Sequence, residues 1–222
     1  YSLSRNGILI LEDPSLLSCI KNVAYDQFYC EHIYVFSTIA LKNVLEKFDL
    51  EIFDIQNTKT HGGSNRYFIK KKPNKRKINS SVKVQREKEI KYGIKKLSTY
   101  KKFASRVKSS KKKLKNIFIK INSKNKKIIG YGATAKSTTI LNYCKINKNL
   151  ISHFIDTTRD KHNKYTPGTK IPILKYSGFI EKNIDFVFLG AWNFKEEIFK
   201  KEKKFIKRGG KFITHIPTPK II

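Results

Sequence analysis

Residues 126–222 alternate short apolar runs with helical periods, and this rhythm constrains the fold more than any other feature of the chain. KKIIGY reads as a strand and TAKSTTILNYCKI as a helix. LISHFID and IDFVFLGAW are further strands, EEIFKKEKKFIKR is a helix and GGKFITHI closes the pattern. Parallel strands need a crossover connection between them, and a helix is its usual form. The segment is therefore predicted to be α/β, a small parallel sheet with helices on both faces.

The first turn of that segment, IIGYGATAKSTT, allows two readings. From Gly130 it nearly spells a phosphate loop, but Ala135 stands where a second glycine would let the backbone wrap a phosphate. Read as G-x-G-x-x-A it is a Rossmann-type turn, whose third small position tolerates alanine. That pattern expects an acidic residue about 20 positions on, and Asp156 at the end of LISHFID fits. Lys136 and Ser137 at the helix start suit a pyrophosphate. On these residues alone an NAD(P)-binding oxidoreductase domain built on Gly130, Gly132 and Asp156 is one reading. A tight turn that packs without binding is another.

The N-terminal part reads differently. GILILE is predicted to be a buried strand, followed by a helix with Asp13 as N-cap and Pro14 at its first position. Ser37 caps a second helix, TIALKNVLEKF. LEIFDIQNTKT and NRYFIKK alternate around HGGS, as an antiparallel hairpin on the edge of a larger sheet would. Residues 71–82 are basic and polar, a linker, and helical periodicity then runs from Val82 to Ile121 with lysines on a solvated face. The expected division is 1–72, a connector 73–125, and a Rossmann-like domain 126–222.

A net charge of +31 raises a third reading, a basic nucleic-acid-binding module. Only seven of the 48 basic residues are arginine, the residue that base-edge and bidentate phosphate readers favour, so no specific nucleic acid is expected as a partner. No run of 18 apolar residues suggests a membrane span. Cys19, Cys30 and Cys144 form neither a zinc pattern nor a disulfide framework, which points to a reducing, cytoplasmic setting. A chain that opens on Tyr1 and contains no methionine reads as part of a longer product.

Six segments occur in order: YDQFYCEH (25–32), FS (36–37), THGGSNRYF (60–68), GYGATAKSTTILNYC (130–144), KYTPGTKIPI (164–173) and AWNF (191–194). Together they resemble the S-adenosylmethionine-dependent sugar C-methyltransferases that act on nucleotide-linked 4-keto deoxysugars. The resemblance implies that residues 1–72 are the C-terminal half of a class I methyltransferase sheet and that 126–222 help hold a nucleotide-diphosphate sugar. It places the main S-adenosylmethionine loop and a zinc-binding domain upstream, in a missing N-terminal part of the same protein, so that this fragment alone is expected to be inactive.

The family's Tyr-x-Glu-His pattern falls on Tyr29, Glu31 and His32, with Cys30 between. It implies that His32 is the general base, with Glu31 and Tyr29 shaping the pocket. The chemistry agrees: imidazole changes protonation near neutral pH, and a carbon beside a ketone becomes nucleophilic once its proton is removed. Substrate contacts are expected from Gly130, Tyr131, Gly132, Ala133, Lys136, Ser137, Asp156, Tyr165, Arg66, Trp192 and Asn193, with Lys161 and Lys164 in a closing loop. The diphosphate is expected at the helix N-terminus after GYGATAKS, with amides from Ala133 to Ser137 facing it and the sugar directed toward His32.

Overall fold

The computed structural model describes residues 3–222, which divide into two compact units. One holds the residues up to Gln27 together with His32–Ala104; the other holds Phe28–Glu31 and Ser105–Ile222.

The first unit is built on a three-stranded antiparallel sheet of β1 (Leu9–Pro14), β2 (Leu50–Thr58) and β3 (Ser64–Lys71), in the order β1-β3-β2. Tyr67 and Ile69 of β3 point to one face, where they meet Ile52 and Ile55 of β2, Leu41 and Leu45 of α2 (Thr38–Glu46) and Val82 of α3 (Ser80–Tyr92). The β2–β3 pair is the predicted hairpin, but among the described residues its sheet has only three strands. GILILE departs from expectation as well. Ile10 is 57% exposed, because β1 is an edge strand and its outer face is uncovered by the described residues. The predicted cap shifts too: β1 runs through Asp13 and Pro14, and Ser15 caps α1 (Leu16–Asn22) by accepting from the Ser18 amide.

α3 is not simply a solvated connector. Its buried stripe is Val82, Gln85 and Glu89, two of them polar. The Glu89 carboxylate accepts the amides of Thr38 and Ile39 at 2.8 and 3.0 Å, satisfying two N–H groups at the start of α2 that the helix itself leaves unpaired. From Thr38 a chain of hydrogen bonds runs through the Tyr67 hydroxyl to Asn65, buried so far, and on through the exposed Asn57 to Gln85. Gly93, in the left-handed conformation, ends α3, and α4 (Leu97–Asn122) follows.

In the second unit, β4 (Ile128–Tyr131), β5 (Phe154–Asp156), β7 (Pro172–Lys175), β8 (Phe186–Leu189) and β9 (Lys211–Thr214) form a parallel sheet, with β6 (Lys164–Tyr165) and β10 (Lys220–Ile221) as antiparallel edges. The order is β10-β9-β8-β4-β5-β7-β6. The chain moves outward from β4 through β5 to β7 and then returns to β8 on the other side of β4. This reversal creates a crevice at the carboxyl ends of β4 and β8. Ile198 of α6 (Lys195–Lys201) and Phe205 of α7 (Lys203–Lys207) cover one face through Ile129, Ile155, Val187, Leu189 and Phe212. Phe118 of α4 packs on Phe188 on the other.

Candidate functional site

Two clusters carry the expected residues, one in each unit. In the second, β4 leads through Gly132 and Ala133 into α5 (Ala135–Cys144), capped by Thr134, whose hydroxyl accepts the Ser137 amide at 3.1 Å. Gly132 takes φ +81, and a Cβ there would lie 2.8 Å from the Ala191 Cβ. Gly130 has a different reason. It lies across from both Phe154 and Phe188, and any Cβ would fall 2.3 Å from the Phe154 ring. Gly130 is a gap through which two phenyl rings meet, at 6.5 Å, in the core.

Asp156 ends β5 and is 7% exposed. Its Oδ2 accepts the Ala133 amide at 2.8 Å, its Oδ1 accepts the Thr158 amide at 2.8 Å, and Lys161 Nζ lies 3.4 Å from Oδ2. Burial alone would raise this carboxyl, but the Thr158 and Ala133 hydrogen bonds and the Lys161 charge together hold it below its ordinary range. The acidic residue at the spacing of a ribose-binding group thus ties its own turn together. Two of the amides expected to face a diphosphate, Ala133 and Ser137, are already engaged by Asp156 and Thr134.

Beside this turn, at the carboxyl edge of the sheet, lies a cavity of about 350 Å³. Of the expected residues it is lined by Tyr131, Gly132, Asp156 and Lys161; Thr134, Tyr176, Phe194, Glu197 and Lys201 complete much of its wall. Ala133, Lys136, Ser137, Tyr165, Trp192 and Asn193 are not among its lining. Lys136 is buried with its ammonium 5.5 Å from the centre of the Trp192 ring, and Tyr165 on the β6 edge is exposed. Behind the cavity the Tyr176 hydroxyl donates to the buried Glu202 carboxylate at 2.5 Å, and the Tyr131 ring packs 5.5 Å from Tyr176. Burial, reinforced by the Glu202 charge, pushes the Tyr131 phenol up to about 12 and the Tyr176 phenol higher still. Tyr176 and Glu202 escaped the sequence reading, because no local spacing links them to the Gly-rich turn.

In the first unit, the His32 ring Nδ1 lies 3.0 Å from the main-chain oxygen of Gln27. A carbonyl only accepts, so Nδ1 bears the proton and the lone pair of the neutral ring falls on Nε2. Asp13 lies within electrostatic reach of His32. Burial raises the Asp13 carboxyl above its usual range, against the opposing pull of the Phe36 amide and the His32 charge. Asp13 Oδ2 is buried and accepts no hydrogen bond from the described residues. Of the residues expected beside His32, Tyr29 is half-buried and Glu31 exposed, and both group with the second unit. Arg66 points away from the Tyr67 face of β3, donates from Nε to Glu12 on β1 at 2.8 Å and forms an ion pair with it through Nη2 at 2.7 Å.

Among the described residues no three His, Cys, Asp or Glu side chains gather to hold a metal, and no helix is long and apolar enough to cross a membrane. None of the three cysteines forms a disulfide.

The profile of the C-methyltransferase C-terminal domain matches residues 59–217, most of the chain. The C-methyltransferase NovU of Streptomyces niveus is 30% identical over 220 residues, which is 99% of this chain and 52% of that protein. The chain thus spans about half the length of the curated relative it matches. A parallel sheet with a Gly-rich first turn, a cavity at its carboxyl edge and a profile match running through both place the chain in the C-methyltransferase family, with residues 59–217 as its C-terminal domain.

Proposed function

We propose that the chain is part of an S-adenosylmethionine-dependent C-methyltransferase that works in the cytoplasm on a nucleotide-activated keto-deoxysugar, with His32 as general base. The observation that carries this reading is the hydrogen bond of His32: its Nδ1–H donates to the Gln27 carbonyl, which leaves Nε2 as the basic nitrogen of the neutral ring. A base so placed takes the proton from the carbon beside the sugar ketone, and the resulting enolate is the carbon nucleophile. Asp13, within reach of the ring, steadies the imidazolium that forms. S-adenosylmethionine, when bound, supplies an electrophilic methyl group; no residue of this chain is assigned to it.

In the second unit the cavity offers a place for a nucleotide diphosphate. Lys161 and Lys201 at its wall offer positive charge to the diphosphate, and Tyr131, Tyr176 and Phe194 offer apolar surface to the base. The α5 N-terminus, with Lys136 in its first turn, adds the favourable end of a helix dipole.

The test uses the full-length protein. His32→Ala should lower methyl transfer to a dTDP-4-keto sugar by roughly 10²- to 10⁴-fold, the usual contribution of a positioned base. Calorimetry should show the nucleotide sugar still binding, and binding in preference to NADH. Unchanged turnover would remove His32 from the chemistry, and tighter NADH binding would overturn the substrate class.

A further inference from the structure

His61 places a second imidazole beside the first. Its ring stands edge-on to His32, with centroids 5.5 Å apart and planes at 89°. Both residues are bonded by Gln27, which is fully buried. The main-chain oxygen of Gln27 accepts from His32 Nδ1, while its side-chain Nε2 donates to the main-chain oxygen of His61. A single buried residue therefore meets the ring of His32 and the backbone of His61.

The turn that carries His61 is fixed at a cost. His61 adopts φ 53, a left-handed conformation uncommon for a residue with a side chain, and Gly62 and Gly63 follow at φ 82 and φ 125. A Cβ on Gly63 would lie 2.8 Å from the Ser18 hydroxyl, so the turn is pressed against α1. Strained backbone persists where the surrounding structure over-determines it, and such sites gather at places of function. Glycine or asparagine would take that first position at least cost. This turn holds an imidazole there.

We propose that His61 is the second member of a catalytic pair; the inference rests on the enolisation chemistry proposed above. As the C–H bond beside the ketone breaks, its proton passes to His32 Nε2. The bonding electrons move toward the carbonyl, and a ring N–H of His61 donates a hydrogen bond to the ketone oxygen on which the charge gathers. The carbon and the oxygen are two bonds apart. A base and a donor that each reach about 3 Å to one of them need rings several ångströms apart, as these are. A donor aimed at a developing oxyanion is worth roughly 10²- to 10³-fold in rate.

The experiment follows solvent deuterium entering the carbon beside the ketone, by NMR, in the full-length protein with a dTDP-4-keto sugar and no methyl donor. His61→Gly accepts the left-handed backbone and removes only the ring. His61→Asn accepts the same backbone and keeps an N–H donor. The proposal expects His61→Gly to slow exchange by about 10²-fold or more with sugar affinity within about threefold of wild type. It expects His61→Asn, or His61→Gly supplied with free imidazole, to recover part of the loss. Exchange at the wild-type rate in His61→Gly would overturn the pairing while leaving His32 as base. So would equal losses in both variants without imidazole rescue, the mark of a structural role. Wild-type protein that neither exchanges nor methylates, though it binds the sugar, would instead defeat the enolisation reading itself.

Discussion

Asp13 and Asp156 are two carboxylates at the ends of strands, one in each unit, and their environments drive them in opposite directions. Burial is the largest influence on both. At Asp156 it is outweighed: amides of Ala133 and Thr158 meet the two oxygens, Lys161 stands by, and the carboxyl is held below its usual range. At Asp13 burial prevails, one oxygen accepts nothing from the described residues, and the carboxyl is held above its usual range. A carboxylate with its hydrogen bonds complete stitches backbone together. One left partly unsatisfied beside an imidazole is costly to the fold, and that cost suits a role in chemistry. The comparison finds the carboxylate that motif spacing marked for ligand binding tied into its own turn, and the one that local sequence made a helix cap left partly unsatisfied beside an imidazole.

Replacing Asp156 should have the largest effect on stability. Asp156→Asn puts an amide nitrogen where one of two backbone N–H groups now finds an acceptor, and should destabilise the second unit by roughly 2–3 kcal/mol. The sign with pH follows from the lowered carboxyl. Its folded-state value lies below the unfolded one, so its contribution is complete above the unfolded value of about 3.9 and is lost as pH falls through the folded value. Thermal melts of wild type and variant should differ fully at pH 7 and converge in acid. A constant gap down to pH 2 would break the account of Asp156 as an ionised tie.

How much of this was legible in the sequence depended on whether the signal was local. The alternation after residue 126 foretold the parallel sheet, since each strand and helix carries its own apolar period. Gly130 and Asp156 were picked out by spacing, yet their partners explain them: a phenyl ring from β5 and the Ala133 amide. Those contacts belong to the tertiary fold, which no motif encodes. Glu89 was invisible for another reason. On a lysine-rich helix a glutamate reads as solvated, and only the docking of α3 against the start of α2 buries it. The exposed face of β1 misled in the opposite sense, because an apolar run says what could be buried and nothing about what covers it. His32 was singled out through a pattern; Gln27 lay in the same segment and His61 in another, but nothing local in the sequence joins them to each other or to Asp13.

A smaller loss should follow Tyr176→Phe, which removes the hydroxyl that donates to Glu202. The carboxylate is 3% exposed, so losing this donor should cost about 1–3 kcal/mol. The ring and its contact with Lys201, 4.2 Å from ammonium to ring centre, would remain. Chemical denaturation should therefore show a lower midpoint with an unchanged slope. If stability is unchanged, the phenol is not supporting Glu202, and the rear wall of the cavity is held by packing alone.

The smallest effect, and the one of opposite sign, belongs to Asp13. Its folded-state carboxyl is raised, so below the unfolded value both states carry the proton and burial exacts no penalty. As pH rises past that value the unfolded chain ionises freely while the folded one resists, and the penalty is complete above the folded value. Asp13→Asn keeps an oxygen to accept the Phe36 amide and removes the charge, though its amide nitrogen would take the place of an oxygen that accepts nothing from the described residues. The balance should favour the variant at pH 7 by no more than about 1 kcal/mol, since an unmet neutral group costs less than an unmet charge. The gain should vanish below pH 4. On the enolisation proposed above, the same change in the full-length protein should slow exchange, because the imidazolium of His32 would lose a carboxylate within electrostatic reach. A variant more stable at neutral pH yet slower in exchange would mark Asp13 as a residue kept for chemistry at the expense of the fold. If Asp13→Asn is instead less stable at pH 7, the carboxylate is satisfied in solution, and the contrast with Asp156 collapses into two structural ties.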